Sequence, residues 1–157
     1  HGSNIHNMGQ QQSFVERPRA EDLGIPHHLM LGLTIGAMEA VLANLPADAV
    51  QQCSEVAPLK DGRFNSAING HVVQFHAEKA CNEDGLSTCE RLQEQGAPGV
   101  GMADVFVSCS LDMPFATLLD ALREHVRRQP DLRTESTTFW VRDLVFRQGA
   151  DDDINWL

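Results

Sequence analysis

Asp104-Val105-Phe106-Val107-Ser108-Cys109-Ser110 opens the stretch that decides the fold. Phe115 to Arg128 and Thr137-Thr138-Phe139-Trp140-Val141-Arg142-Asp143-Leu144-Val145-Phe146 complete it. The first run is rich in β-branched and aromatic residues and predicts a buried strand over 104–108. Phe115, Leu118, Leu119, Leu122 and Val126 then recur at helical spacing, with Asp120, Arg123, Glu124 and Arg127 turned the other way, which predicts a helix packed by one face onto a sheet. Met113-Pro114-Phe115 suits a first helical turn, and Asp112 is placed to cap it. The run 137–146 is apolar on both alternating faces and predicts a strand covered on two sides. A strand, a crossover helix and a second strand of this length make a right-handed parallel β-α-β unit. The expected fold class is therefore α/β, a parallel sheet begun by these two strands.

Working outward, residues 1–22 are polar, Gln-rich and without period, and are expected to form a flexible leader. Residues 23–96 are expected to be an α-rich segment, and 97–157 the α/β part. Met30, Leu33, Met38, Val41, Leu42 and Leu45 fall mostly at three- and four-residue spacings, which predicts one helix over 29–45 that Pro46 ends. Gly32 and Gly36 would weaken that helix by about 1 kcal/mol each. A short helix is predicted over 47–56, closed by Pro58. Asp61-Gly62 and Asn69-Gly70 are turn signals, and His71-Val72-Val73-Gln74-Phe75-His76 after the second reads as a strand or small hairpin. Ser87 with Glu90 three residues on is a capping box, predicting a helix over 87–95 with Gly96 as its stop. Gly96, Gly99 and Gly101 precede the 104–108 strand. A loop that cradles phosphate follows a strand and opens a helix instead, so this is not one.

A chain of 157 residues is the size of one ordinary domain. It contains nine aromatic residues, seven Phe and two Trp with no Tyr, so the core must rest on aliphatic side chains. The formal charge of −10 argues against a nucleic-acid backbone or an anionic membrane surface as the main partner. Arg123, Arg127 and Arg128 are the one basic cluster, placed to complement a helix C-terminus. The four cysteines, Cys53, Cys81, Cys89 and Cys109, lack a dense disulfide pattern and favour a reducing, cytoplasmic setting. No run approaches the ~20 apolar residues of a membrane span. The chain opens on His1 and closes on the apolar pair Trp156-Leu157, which reads as a fragment of a longer protein. A start at Met8 would make Gly9 the acceptor of an N-myristoylation pattern, Met8-Gly9-Gln10-Gln11-Gln12-Ser13.

Asp104-Val105-Phe106-Val107-Ser108 resembles the first-strand box of Toll/interleukin-1 receptor (TIR) domains, in which an acidic residue, apolar residues and Ser lead into the first helix. The likeness is closest to divergent TIR-like domains of microbial eukaryotes and extends to Phe139-Trp140-Val141-Arg142-Asp143, covering about residues 100–149. Cys109 and Leu111 stand where those relatives tend to carry His and Trp, and Arg147-Gln148-Gly149 replaces an Arg-Asp-x-x-Pro-Gly loop. The resemblance implies an incomplete TIR-like domain with the start of a TIR/flavodoxin-like sheet. It implies a signalling or assembly module that works by protein-protein association, with a protein partner or with itself, through a surface over Arg147, Gln148, Gly149, Asp151, Asp152 and Asp153. Some members of the family cleave NAD with a glutamate beyond the second strand. No Glu follows Glu135 here, so by resemblance that residue would lie beyond Leu157, and NAD would be a substrate of the longer parent only.

Cys109 at the strand-to-helix turn would have its thiol pKa lowered by a helix N-terminus and suits a nucleophile, with His71, His76 or His125 as candidate bases for a thiol-dependent hydrolase. His71, His76, Cys81 and Cys89 form a series with zinc-ligand side chains but no tight Cys-x2-Cys knuckle. On a strand, His71 and His76 would point to opposite faces. His27-His28 and Asp151-Asp152-Asp153 are read as solvated. No metal or cofactor is expected on the chain itself. An unpaired sheet edge would favour self-association.

Overall fold

The computed structural model describes residues 4–7, 23–56 and 67–149. In chain order these form strand β1 (Asn4–Asn7), a 3-10 turn (His27–Met30), β2 (Leu31–Leu33), helices α1 (Ile35–Ala43), α2 (Ala49–Val56), α3 (Gly70–Asp84) and α4 (Thr88–Glu94), strands β3 (Val100–Met102) and β4 (Val105–Ser108), helix α5 (Phe115–Arg128), strand β5 (Phe139–Val141) and helix α6 (Arg142–Val145). The protein is mixed α/β, with one five-stranded sheet in the order β1-β4-β5-β2-β3.

β4 and β5 run parallel, with Val105, Phe106 and Val107 opposite Phe139, Trp140 and Val141, and α5 connects them. Phe115, Leu118, Leu119, Leu122 and Val126 are the buried stripe of α5, as their spacing predicts. The sheet as a whole is not the expected parallel one: β1 pairs antiparallel with β4, and β2 pairs antiparallel with both β3 and β5. β1 lies within the stretch expected to be a flexible leader. The second strand is also shorter than expected. It ends at Val141, and Arg142–Val145 turns into a helical segment closed by a bond from the Phe146 N–H to the Arg142 carbonyl at 2.9 Å.

Two further expectations are corrected. The single helix over 29–45 is a 3-10 turn, a strand and a helix in succession. Leu31 and Leu33 are fully buried in β2, and the Thr34 hydroxyl accepts from the Ala37 N–H at 3.2 Å, which starts α1 afresh. Gly32 belongs to the sheet rather than to a weakened helix. A Cβ there would stand 2.9 Å from the Phe139 carbonyl oxygen, so the close approach of β2 to β5 requires glycine.

The expected strand or hairpin at 71–76 is the first half of α3, a helix of 15 residues. Asn69 caps it, its side-chain oxygen accepting from the Val72 N–H at 3.2 Å, and Gly85 at φ +73° ends it. Val72, Val73, Ala77 and Cys81 are buried, and tertiary packing of that face overrides the β-branched local preference.

The capping box of α4 is present as predicted, with Ser87 and Glu90 bonded reciprocally at 3.1 Å. One core gathers Leu31, Leu33, Met38 and Val73 from the α-rich part with Val105, Leu118, Leu122, Phe139 and Val145 from the rest, so β2 and the helices around it share the interior of the sheet. Among the described residues no helix is long and apolar enough to cross a membrane.

Candidate functional site

Parallel strands present their carboxyl ends together, and in open α/β sheets that is where crevices form. Here β4 ends at Ser108 and β5 at Val141, and between the residues that follow lies a crevice of about 180 Å³. Phe106 and Trp140, opposite each other in register, line it, together with Cys109, Leu111, Arg142 and Asp143. The two rings are stacked with centroids 4.7 Å apart and planes 25° from parallel. Trp140 is held in place by its Nε1–H, which donates to the Leu29 carbonyl at 2.8 Å, and by an edge-on contact with Phe146.

Asp143 is the unusual residue of the crevice. Its side chain is 5 % exposed, and among the described residues Oδ1 has no hydrogen-bond partner. The Arg142 Nε stands 3.8 Å from that oxygen, too far for a hydrogen bond, and the Arg142 side chain is 43 % exposed at the mouth. Burial pushes the Asp143 carboxyl up to about 6, against the opposing pull of Arg142 and His71. The turn of α6 at the end of β5 places this carboxylate at the sheet end.

The other wall is the loop 109–114, seated on the start of α3. The His71 N–H donates to the Leu111 carbonyl at 3.3 Å, the Phe115 N–H to the Ile68 carbonyl at 2.8 Å, and Asn69 bridges to Pro114. A Cβ on Gly70 would lie 2.9 Å from the Leu111 Cα, so glycine permits the contact. Asp112 does not cap α5. The helix begins after Pro114 with no side-chain cap, and the Asp112 Oδ1 lies 2.9 Å from the His71 Nε2.

Cys109 is half-buried six residues before α5, not at its N-terminus. Its thiol pKa is raised rather than lowered, by burial first and then by Asp143, so the expected activation of a nucleophile is reversed. Of the candidate bases, His71 pairs with Asp112, the His76 Nε2 lies 3.0 Å from the Ala49 carbonyl, and His125 has its pKa lowered by burial.

The zinc-type series does not converge. His71, His76 and Cys81 follow one another along α3, while Cys89 is fully buried on α4 with its thiol pushed up to about 12 by burial and Glu90. Among the described residues no three His, Cys, Asp or Glu side chains are grouped to hold a metal ion.

The segment expected as an association surface is used partly inside the molecule. Arg147 forms a two-pronged ion pair with Glu90, and Gln148 is buried, donating to the Asp143 carbonyl at 3.4 Å and accepting from the Gln74 Nε2 at 3.3 Å. Gly149 is exposed at φ +83°, and Asp151, Asp152 and Asp153 lie outside the described residues, as do Met8, Gly9 and the Asp61-Gly62 turn. Sequence reasoning passed over Asp143 as part of a strand. The available signal was a lone carboxylate inside the apolar run 139–146, where burial of a charge calls for a reason. Compared with known proteins, the chain matches no family model, no curated protein and no solved structure.

Proposed function

We propose that the chain is a TIR-like signalling or assembly module that acts by protein association, in the first place with a second copy of itself. The observation that supports this is the outer strand β3. The Thr34 N–H donates to the Gly99 carbonyl and the Ala103 N–H to the Met30 carbonyl, so the alternation of an antiparallel ladder turns the Val100 and Met102 N–H groups away from β2. Among the described residues no strand lies beyond β3, and the Met102 side chain is 50 % exposed. An edge with outward N–H groups and an exposed apolar side chain accepts an added strand. The parallel β4-α5-β5 unit is the part of the fold on which the TIR-like reading rests. The surface over Arg147 to Gly149 is a weaker candidate for contact, because Arg147 and Gln148 already serve the chain's own packing.

Light scattering of the whole chain over a wide concentration range, beside Met102→Lys, tests this reading. The parent is expected to gain mean mass with concentration, and the variant to stay monomeric because a lysine on an edge strand blocks pairing. A parent that stays monomeric throughout, or a variant that associates as the parent does, would remove β3 as the contact. The thiol-hydrolase reading gains no support, since the Cys109 thiol is shifted away from the ionised form.

A further inference from the structure

We propose that the crevice at the carboxyl ends of β4 and β5 binds a small organic cation, an amine or amidine of single-ring size, with Asp143 as its counter-ion and Phe106 and Trp140 as its aromatic wall. A carboxylate whose side chain is 5 % exposed, with one oxygen that accepts no hydrogen bond from the described residues, costs stability unless a further donor completes it. A ligand N–H donor placed in the crevice supplies the missing bond, and a cationic one adds to the loose ion pair that Arg142 makes with the carboxylate. Arg142 forms a loose ion pair with Asp143 but not the missing hydrogen bond, because its Nε is 3.8 Å from Oδ1 and its side chain is 43 % exposed. The stacked Phe106–Trp140 pair lines the same crevice and offers π-systems that attract a cation. At about 180 Å³ the space is below the range of drug-sized pockets, which selects a ligand of one ring or a short alkyl amine. The charged and titratable groups around Asp143 are Arg142 on its own helix, His71 on α3 and Cys109 after β4. This site is separate from β3 and does not depend on self-association.

Calorimetric titration of the whole chain at about pH 7.5 with benzamidine, beside benzamide and benzoate as neutral and anionic molecules of the same shape, tests the assignment. Benzamidine is expected to bind at least about tenfold more tightly than benzamide, with benzoate weakest, and Asp143→Asn to lower benzamidine affinity by about tenfold or more. Should that variant fail to fold, the parent at about pH 5 serves instead, since protonation of Asp143 should weaken benzamidine about tenfold while leaving benzamide unchanged. Equal affinity for benzamidine and benzamide, a preference for benzoate, or no binding of benzamidine by the parent would overturn the proposal. So would an affinity that neither Asp143→Asn nor the lower pH changes.

Discussion

Arg147 holds Glu90 by two parallel hydrogen bonds, Nε to Oε1 at 2.8 Å and Nη2 to Oε2 at 2.7 Å. The same Glu90 carboxylate accepts from the Ser87 N–H, so one side chain caps α4 and fastens the chain that leaves α6. Burial by itself would raise Glu90, but the Arg147 guanidinium and the Ser87 N–H overcome it and hold the carboxyl at about 2. Glu90→Ala should therefore cost about 1–2 kcal/mol of unfolding free energy at neutral pH. Arg147→Ala should cost less, and the double variant less than the sum, with a coupling of about 0.5–1 kcal/mol in denaturant titrations. A depressed carboxyl stabilises the native state above its usual pKa. This contribution is present above about 4.5 and is lost as pH falls toward about 2. Additive single variants would show that the two residues act separately.

Asp143 has the opposite sign. Its carboxyl is raised from 3.8 to about 6 by burial, so the folded protein holds the proton more tightly than the unfolded chain does. Stability from this group is complete below about 3.8 and declines as pH rises through about 6. Asp143→Asn removes the cost of ionising a buried group. Thermal unfolding at neutral pH should show a gain on the order of 1–2 kcal/mol, and the advantage should vanish at about pH 4. A variant less stable than the parent at both pH values would mean that the carboxylate makes a contact the crevice geometry does not reveal.

The four thiols should differ in reactivity. Cys53, Cys81 and Cys89 are buried and Cys109 is half-buried, and all four pKa values are raised. Iodoacetamide on the native protein, read by peptide mapping, should label Cys109 first, yet more slowly than in the denatured chain. Cys89 should stay unlabelled until unfolding. Labelling of Cys109 faster than in denatured protein would restore the nucleophile reading.

Gly99 adopts φ +86°, and a Cβ there would overlap the Thr34 Oγ1 and approach the Ala37 Cβ to 2.9 Å. Gly99→Ala combines a strained backbone with loss of the Thr34 cap on α1, and should destabilise the protein by roughly 2 kcal/mol or more. Gly96, also at positive φ but with open space around it, should tolerate alanine at a smaller cost. Equal costs at the two positions would show that the Thr34 contact contributes nothing.

Local pattern and capping were enough to read α4, α5 and the strand β4. Ser87 with Glu90 is a reciprocal cap within four residues, and the Phe115–Val126 stripe is a single-helix period, so neither depends on distant partners. The local pattern of α3 points to a strand, because His71 to His76 carries β-branched and aromatic residues after Asn-Gly, whereas Asn69 is a helix cap and Gly85 its stop. Only the tertiary structure decided between those two uses of the same residues, by burying Val72, Val73, Ala77 and Cys81 along one helical face. β2 is a stronger case. Leu29 to Leu33 carries the period of the helix expected over 29–45, and its use as strand is decided by β3 and β5, which flank it from more than sixty residues away in the chain. The crevice has the same origin. The sequence pattern puts Cys109 after the first strand and Asp143 inside the second, whereas the end of β5 at Val141 and its parallel pairing with β4 bring both to one sheet end, and burial in that place, not residue type, sets the state of each.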